Sequence, residues 1–185
     1  MQQTFEYYVV DPGTWKETKK IDCVLDSSIS RDSTLETLGS ASITVSESIG
    51  ECYIRIYLVT IQNGFKEKHS LGTFLVQSPS YSFDGKIKNI TLDAYTPLLE
   101  LKENPTPLGY SILKGENVIE TAYRIVREQV RAPVIKTQND ETLKSNFVAN
   151  LNDTWIVVVR DLIANANYSL ALDDVGRILF MPNQD

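Results

Sequence analysis

The stretch NDTWIVVVRDLIANANYSLALDDVGRILFMP, residues Asn152–Pro182, shows the two periodicities that decide the predicted fold. Its first part predicts a helix with Asn152 or Asp153 as the N-cap, because a short side-chain oxygen can accept a hydrogen bond from a free amide of the first turn. Apolar residues recur at offsets of four, seven, eight and eleven from Trp155, the spacing of one buried helical face: Val159, Leu162, Ile163 and Ala166. The run Ile156–Val159 favours a strand by local propensity, but the helical periodicity extends over more residues.

The second part of this stretch predicts a β-hairpin, because the period of its apolar residues falls to two. One face of the hairpin is formed by Tyr168, Leu170 and Leu172 and then by Ile178 and Phe180. The residues between them, Asp173-Asp174-Val175-Gly176, predict the turn. Pro182 has no amide to donate and ends the second strand.

Residues 1 to about 100 have the alternation and the turn signals of β-structure. Strands are predicted at Phe5–Val10, Lys20–Leu25, Ala41–Val45, Cys52–Ile61 and Leu71–Val76, followed by a strand that points Ile90, Leu92 and Ala94 inward. Asn63-Gly64 and Asp84-Gly85 predict tight turns, because these residues tolerate a positive φ. The central strand has apolar residues at both parities, so both of its faces are predicted to be covered. Turns at such short intervals predict a meander that closes into a small barrel or sandwich.

A second unit is predicted after Glu103–Pro107, a linker in which neither proline can lie inside a helix. A helix is predicted after Asn117, because Asn117 and Glu120 together resemble a capping box. Pro133 is predicted to stop this helix. Its buried face is predicted to carry Ile119, Ala122, Tyr123, Val126 and Val130. The predicted fold class is therefore α+β. An N-terminal antiparallel β-barrel-like domain, residues 1–102, precedes a smaller unit of two helices and a β-hairpin, residues 108–185.

Length, charge and cysteine content restrict the class of protein. With 185 residues, 42% of them hydrophobic, the chain can bury one good core or two small ones. It has no run near the roughly 20 apolar residues needed to cross a bilayer, and its N-terminus lacks the pattern of a secretory signal, so no membrane insertion is expected. The formal charge of −6 argues against adhesion to nucleic acid, which needs a basic surface. Cys23 and Cys52 have no metal-binding spacing and are predicted to be buried, reduced thiols.

The residues that could carry catalysis give weak signals. His69 is the only histidine and lies in the polar segment KEKHS, where a solvated side chain is expected. Ser40 lacks the second glycine of a nucleophile elbow, and no glycine-rich phosphate loop is present. The closest carboxylate pair, Asp173-Asp174, lies in a turn that favours aspartate for its geometry, and its spacing fails that of a calcium loop. We therefore predict that the protein is not an enzyme and has no catalytic residues, no cofactor and no metal site.

Four segments together have the layout of a known protein family. They are SSISRDSTLETLGSASITV (Ser27–Val45), IRIYLVTIQNGFKEKHSLGTFLVQSPSYSFDGKIKNITLDAYTPLLEL (Ile54–Leu101), GYSILKGENVIETAYRIVREQV (Gly109–Val130) and the opening stretch. Over roughly residues 20–182, the sequence resembles the N-terminal part of the tail-tip or baseplate hub proteins of tailed bacteriophages and related prophage elements. The resemblance lies in the order of these segments rather than in one motif.

The resemblance implies a scaffold at the tail tip of the virion, made in the host cytoplasm. Such hub proteins form trimeric rings whose barrel domains continue the tail tube, with a helical domain attached. The expected partners are further copies of this chain in a homotrimeric ring, the distal tail or tail-tube proteins and the tape-measure protein. DNA is expected to pass through the ring without specific binding, which an acidic or neutral inner wall permits. Arg124 and Arg127 are expected to face outward or toward neighbouring subunits.

Two other functions are open at this point. A receptor- or carbohydrate-binding β-module of a phage tail would need exposed aromatic side chains on one concave face, for which Trp15 and the tyrosines are candidates. A carboxylate-dependent hydrolase would need two acids about 5–10 Å apart in a cleft.

Overall fold

The computed structural model describes residues 2–83, 85 and 88–184. The chain forms two compact units, one of Met1–Pro97 with Asp174–Gly176 and one of Leu98–Asp173 with Arg177–Asp185. Antiparallel sheets and helices are both present, which confirms the predicted α+β class. The segment Asp174–Gly176 belongs to the first unit although it follows most of the second unit along the chain.

The first unit is built on one antiparallel sheet. Its described strands are β1 (Gln2–Val10), β2 (Glu17–Ile21), β3 (Val24–Arg31), β4 (Gly39–Val45), β5 (Tyr53–Gln62), β6 (Phe65–Phe83) and β7 (Lys88–Tyr95). Their order across the sheet is β2-β1-β5-β6-β7-β4-β3, and no ladder joins the edge strands β2 and β3 in the described part of the chain, so the sheet does not close into a barrel. Only Asp22 and Cys23 lie between the end of β2 at Ile21 and the start of β3 at Val24. The Cα atoms of Ile21 and Val24 are therefore at most about 11 Å apart.

One face of the sheet buries the core of the first unit. The buried side chains of this core are Tyr7, Ile21, Ala41, Ile43, Val45, Ile54, Ile56, Phe74, Val76, Ile90, Leu92 and Ala94. The three residues predicted to point inward from β7 are therefore confirmed. On β5 four consecutive residues, Tyr53–Ile56, are buried, which confirms that both faces of the central strand are covered. The tight turn predicted at Asn63-Gly64 joins β5 to β6, with φ angles of 50° and 82°.

The second predicted strand, Lys20–Leu25, is wrong in its bounds. The chain leaves β2 after Ile21 and enters β3 at Val24, so the predicted strand spans the junction of two strands. Most of β3 gives no apolar alternation because it is rich in serine, and only a few of its residues, among them Ile29, pack against the core. The turn predicted at Asp84-Gly85 includes Asp84, which lies outside the described residues.

The second unit contains the helices and two small sheets. Its described elements are α1 (Leu99–Glu103), β8 (Ser111–Ile112), α2 (Val118–Gln129), β9 (Phe147–Val148), α3 (Trp155–Ala164), β10 (Tyr168–Leu172) and β11 (Ile178–Pro182). The short helix α1 ends at Glu103, the first residue of the predicted linker, and no helix is predicted in this segment. In the described part of the chain, no helix combines the length and the apolar character that a membrane span requires.

Helix α2 begins at its predicted cap. Asn117 Oδ1 accepts a hydrogen bond of 2.8 Å from the backbone N–H of Glu120, which satisfies one free amide of the first turn. In a capping box the Glu120 carboxylate would accept a hydrogen bond from the backbone N–H of Asn117. Here it forms an ion pair with Lys136 at 3.0 Å instead. The buried residues are Val118, Ile119, Thr121, Ala122, Ile125 and Val126. The helix ends at Gln129, before Pro133 is reached.

The region Trp155–Ala164 is helical, as its periodicity predicts, but its predicted N-cap is wrong. The cap residue is Thr154, and both predicted caps belong to the preceding turn, where Asn152 has a φ of 69° and Asp153 Oδ2 accepts from the backbone N–H of Asn150 at 2.8 Å. The buried residues of α3 are Trp155, Ile156, Val158, Val159, Leu162 and Ile163. A helix that is buried on several sides has few polar positions, which explains the strand-like run Ile156–Val159.

The terminal hairpin is also confirmed. Strands β10 and β11 pair with Leu170 opposite Phe180 and Leu172 opposite Ile178. Leu170, Ile178 and Phe180 are buried. The hairpin therefore packs one face into the second unit, as the period of two predicts.

Candidate functional site

The only histidine lies on the surface of the first unit. His69 is on β6, its side chain is 58% exposed, and its Nε2 lies 3.4 Å from a carboxylate oxygen of Glu67, which is also exposed. A catalytic imidazole needs a nucleophile on one ring nitrogen and a fixed partner on the other. The exposed side chain expected from the sequence is confirmed.

Ser40 lies in a small hydroxyl-lined cleft on the first unit. The cleft has a volume of about 140 Å³ and is lined by Ser28, Ser30, Ser40, Ala41, Ser42, Asp93 and Tyr95. In the sheet Ser40 is opposite Ser30 on one side and Tyr95 on the other. The lining contains no histidine or lysine, so it offers the Ser40 hydroxyl none of the nitrogen bases that usually activate a serine.

The two adjacent aspartates have structural contacts of different kinds. Asp173 accepts hydrogen bonds from the backbone N–H of Arg177 at 2.8 Å and from its Nε at 2.5 Å, and so closes the hairpin turn. The backbone carbonyl of Asp174 accepts a hydrogen bond of 2.5 Å from the Ser70 hydroxyl. The two residues lie in the hairpin turn that the sequence predicts for them.

The described residues contain no group of three or more histidine, cysteine or acidic residues that could hold a metal ion. Cys23 and Cys52 are both free and partly buried, and both pack against the core of the first unit. Burial, and next the neighbouring Glu51 carboxylate, raise the pKa of the Cys52 thiol. Cys52 therefore behaves as a small apolar side chain, since the reactive thiolate is disfavoured.

A larger cleft lies where β2 separates from the segment that follows β4. It has a volume of about 570 Å³ and is lined by Lys19, Lys20, Ile21, Asp22, Cys23, Ser46, Glu47, Ser48 and Ile49. Two lysines and two carboxylates give it no single sign of charge. Small-molecule sites are usually lined by apolar and aromatic side chains with a few convergent polar groups, and this lining contains no aromatic residue.

A hydrogen-bonded group of polar side chains surrounds Arg55 on β5. Its Nε donates to Thr73 Oγ1 at 2.9 Å and its Nη2 donates to the Trp15 carbonyl at 3.2 Å. Its Nη1 lies 3.7 Å from a carboxylate oxygen of Glu17, and the arginine side chain is only 8% exposed. A buried guanidinium is costly unless it is paired and hydrogen-bonded, and Arg55 meets both conditions.

The same groups fix the backbone of Asp174–Gly176, which belongs to the first unit. The Val175 carbonyl accepts hydrogen bonds from Thr73 Oγ1 at 2.7 Å and from Trp15 Nε1 at 2.8 Å. Gly176 has a φ of 80°, and a Cβ at this position would lie 3.0 Å from Thr73 Cβ. The close approach and the left-handed backbone explain why glycine occupies this position.

A second polar group lies on β1, β5 and β6 around Glu6. Its carboxylate accepts hydrogen bonds from Lys66 at 2.9 Å and Tyr8 at 2.8 Å, and Lys68 lies 3.3 Å away. The hydrogen bonds from Lys66 and then Tyr8 lower the pKa of Glu6 to about 2. The Lys68 ammonium also lies 4.0 Å from the ring centroids of both Tyr8 and Tyr57, in cation–π geometry.

These two groups join strands rather than form an open reaction centre. Each of the carboxylates of Glu6 and Glu17 contacts a basic or hydroxyl side chain, and the Tyr57 hydroxyl donates to Glu17. Burial, and next this hydrogen bond, raise the pKa of Tyr57. The chemistry available here is the cross-linking of β1, β2, β5 and β6 by charge-assisted hydrogen bonds.

Sequence reasoning did not predict this network, although one signal was available. Arg55 is the only charged residue in the apolar run YIRIYLVTI, and a charge inside a doubly covered strand requires a partner. Trp15, a candidate for a sugar-binding face, is 7% exposed, and its ring packs edge-on against Tyr53 with centroids 4.9 Å apart. Trp15 is therefore part of the core and not of a binding face.

No family model and no curated protein match this sequence. Solved structures do match the fold. A tail protein from Neisseria meningitidis MC58 aligns with 97% of the chain at 13% identity and a TM-score of 0.64. The 43 kDa tail protein of prophage MuSo2 from Shewanella oneidensis aligns with 100% of the chain at 11% identity and a TM-score of 0.67.

The chain shares its fold with phage tail proteins. It spans about half the length of these two solved proteins, 50% of the first and 56% of the second. The similarity includes the first unit and the second unit together, since it extends over nearly all of the chain.

Proposed function

We propose that this protein is a structural component of a bacteriophage or prophage tail, located in the tail tip or baseplate hub. In this proposal its copies form a homotrimeric ring that continues the tail tube and attaches tail-tip proteins. Its neighbours are the distal tail or tail-tube proteins and the tape-measure protein.

The observation that carries the proposal is the match of the fold, over nearly the whole chain, to two tail proteins. The side-chain chemistry is consistent with it. The polar side chains around Arg55 and around Glu6 form hydrogen bonds and ion pairs that join neighbouring strands. A rigid sheet that is fixed in this way is suited to assembly with other subunits.

The charge balance supports a role as a conduit for DNA. A lumen coated with lysine would bind each phosphate that it neutralises and release counterions, which would hold the DNA in place. The formal charge of −6 allows an acidic or neutral inner wall. Arg124 and Arg127 are exposed on the polar face of α2, and we propose that they face outward or toward neighbouring subunits.

The proposal is tested by deleting the gene from its phage or prophage and complementing the deletion with a tagged copy. Without the protein, we expect particles that lack a complete tail tip and do not infect. With the tagged copy, mass spectrometry of purified particles should detect the chain at a constant ratio to the tube protein, and cryo-electron microscopy should show a threefold ring with a non-basic inner wall.

Infectious particles of normal structure that lack the chain would contradict the tail role as a whole. A strongly positive inner wall, or tight binding of the isolated chain to DNA at physiological salt, would contradict only the conduit. The two parts of the proposal can therefore fail separately.

A further inference from the structure

At one end of the sheet, β3, β4 and β7 direct a set of polar side chains away from the core of the first unit. Alternate residues of β4 and β7 belong to that core, among them Ile43 and Leu92. Because successive side chains of a strand point to opposite faces, the residues between them point away from the core. The pairing of the three strands aligns nine such residues in three rows: Asp26, Thr44 and Thr91; Ser28, Ser42 and Asp93; Ser30, Ser40 and Tyr95. We name these nine side chains the hydroxyl face.

The hydroxyl face is one continuous surface. Paired strands lie about 4.8 Å apart, and residues two positions apart along a strand are about 6.7 Å apart, so each member has other members as its neighbours. Thr44 and Thr91 are joined by a hydrogen bond of 3.5 Å between their hydroxyls. The cleft of about 140 Å³ that contains Ser40 is lined by the side chains of two complete rows, together with Ala41. None of the nine residues is buried, so the surface is open to solvent.

The side chains of this face are short, and none of them is basic. All carry a hydroxyl group except Asp26 and Asp93, which carry carboxylates. Binding to a nucleic-acid backbone depends on lysine and arginine side chains that neutralise phosphates and release counterions. The hydroxyl face therefore offers DNA no cation, and its two carboxylates repel phosphates.

The opposite end of the same sheet has a different charge. There the residues directed away from the core include Lys20 on β2 and Lys66 and Lys68 on β6, as the pairing with β1 and β5 shows. The two edge strands differ in the same way, since lysine commonly protects a sheet edge from unwanted pairing. Strand β2 carries such lysines, whereas the outward positions of β3 are an aspartate and two serines. The absence of basic side chains is therefore a property of one end of the sheet.

The composition of the hydroxyl face does not favour a subunit contact or a small-molecule site. The buried centres of protein interfaces are enriched in aromatic residues, methionine and arginine and are depleted in serine and aspartate. Tyr95 is the only aromatic residue of the face. The cleft of about 140 Å³ is also smaller than the roughly 300–1,000 Å³ of typical ligand pockets.

We propose that the hydroxyl face is the wall of the ring along which DNA passes. The inference rests on the proposed tail role and names the surface that serves as the conduit. Phosphates that meet hydroxyls and carboxylates release no counterions, so the DNA is not held in place. The end of the sheet that carries Lys20, Lys66 and Lys68 lies away from the DNA.

The proposal is tested with two lysine variants of the full chain, assembled into particles in place of the wild type. Ser28→Lys/Ser30→Lys adds two cations at exposed alternate positions of β3, on the hydroxyl face. The matched control Gln2→Lys/Thr4→Lys adds the same charge at exposed alternate positions of β1, near the other end of the sheet. All four positions are exposed, so both purified chains should melt like the wild type.

The measurement is the rate at which purified particles release their genome on contact with host cell envelopes, in about 50 mM and about 200 mM salt. A threefold ring of the hydroxyl-face variant carries six added lysines, and six phosphate contacts lose about 10³ in affinity over this range of salt. We expect this variant to release DNA at least about tenfold more slowly than the wild type at the lower salt concentration, and to approach the wild-type rate at the higher one. The control should match the wild type at both.

A wild-type rate for the hydroxyl-face variant, a delay that salt does not relieve, or an equal delay for the control would overturn the inference while the tail role stands. Exclusion of this variant from particles that accept the control would also overturn it, because the face would then be a subunit contact. Absence of the wild-type chain from particles would instead contradict the proposed function itself, and the inference with it.

Discussion

The indole Nε1 of Trp15 donates a hydrogen bond of 2.8 Å to the carbonyl oxygen of Val175, 160 positions later in the chain. The same oxygen accepts a second hydrogen bond from Thr73 Oγ1, which in turn accepts one from Arg55. This single carbonyl oxygen therefore connects the loop after β1, the centre of the sheet and the segment Asp174–Gly176.

Replacing Trp15 by Phe should remove the hydrogen bond and keep much of the packing against Tyr53. We expect the free energy of unfolding to fall by about 1–3 kcal/mol, the cost of a lost buried hydrogen bond combined with the smaller ring. Trp155→Phe is the matched control, since it truncates the same ring and no hydrogen bond from Trp155 Nε1 is present among the described residues. Urea denaturation compares the two. An equal loss for both variants would show that the bond to Val175 contributes nothing.

Replacing Gly176 by Ala should destabilise the protein for two reasons. A residue with a Cβ is strained at a φ of 80°, and this Cβ would lie 3.0 Å from Thr73 Cβ and 3.3 Å from the Thr73 carbonyl oxygen. Gly64→Ala is the control, because Gly64 has a φ of 82° and no heavy atom within 4 Å of the added Cβ. We expect about 1 kcal/mol for the control and roughly 1–2 kcal/mol more for Gly176→Ala, measured by thermal unfolding. Equal losses would mean that the backbone at residue 176 moves away without cost.

The Glu6 carboxylate should make the free energy of unfolding depend on pH in the acidic range. Its pKa is lowered from 4.5 to about 2 in the folded protein, mainly by the hydrogen bonds from Lys66 and Tyr8. A lowered folded-state pKa contributes stability that is fully present above about pH 4.5 and is lost as the pH falls toward 2. In denaturation curves across this range, Glu6→Gln should show a smaller loss than the wild type. Replacement of the exposed Glu116 by Gln should leave the wild-type acid dependence unchanged, and identical curves for all three proteins would refute the role of Glu6.

Truncating Trp155 to Ala should cost about 3–5 kcal/mol, the range for a buried aromatic side chain. Trp155 is 8% exposed and packs against Tyr110, so its truncation would leave a cavity beside the Tyr110 ring. Lys144→Ala, at a side chain that is 89% exposed, should change the stability by less than about 0.5 kcal/mol. An unchanged unfolding midpoint for Trp155→Ala would place this ring outside the core.

Replacing His69 or Asp174 by Ala should leave particle assembly and infectivity intact. The His69 side chain is exposed, and Asp174 contributes its backbone carbonyl, which the substitution retains, to the bond with Ser70. Surface substitutions of this kind usually change stability by less than about 0.5 kcal/mol. A variant that assembles normally but has lost a hydrolytic activity of the particle would overturn the scaffold interpretation.

Local periodicity was sufficient to predict the elements whose burial is regular. Helix α2 with its Asn117 cap, helix α3 and the terminal hairpin all follow from apolar spacing. Strand β3 does not, because its serines carry no apolar alternation and its place in the sheet comes from pairing with β4. The cap of α3 was missed because Asn152 and Asp153 have cap-like side chains but belong to the turn Asn150–Asp153. Thr154 takes the cap position without a side-chain hydrogen bond.

The polar network lies beyond sequence periodicity for a different reason. The sequence shows that Arg55 needs a partner but does not identify one, because its partners Trp15 and Thr73 lie 40 and 18 positions away. Val175, which accepts a hydrogen bond from Thr73, is still farther along the chain. The exposure of Leu108 and Leu151 is likewise not predicted, because both lie in segments whose turn signals predict polar, solvated loops. Non-local contacts and exposed apolar turn corners both require the three-dimensional structure.

The membership of Asp174–Gly176 in the first unit has a consequence for synthesis of the chain. A ribosome delivers Met1–Pro97 first, yet the Val175 carbonyl that Trp15 and Thr73 bind emerges only after all of Leu98–Asp173 has been translated. At elongation rates of about 5–20 residues per second, the nascent sheet waits several seconds for this acceptor. The donors of Trp15 and Thr73 stay solvated during this interval, so a truncated translation product has an unfinished first unit. Completion of the first unit therefore depends on translation continuing through Val175.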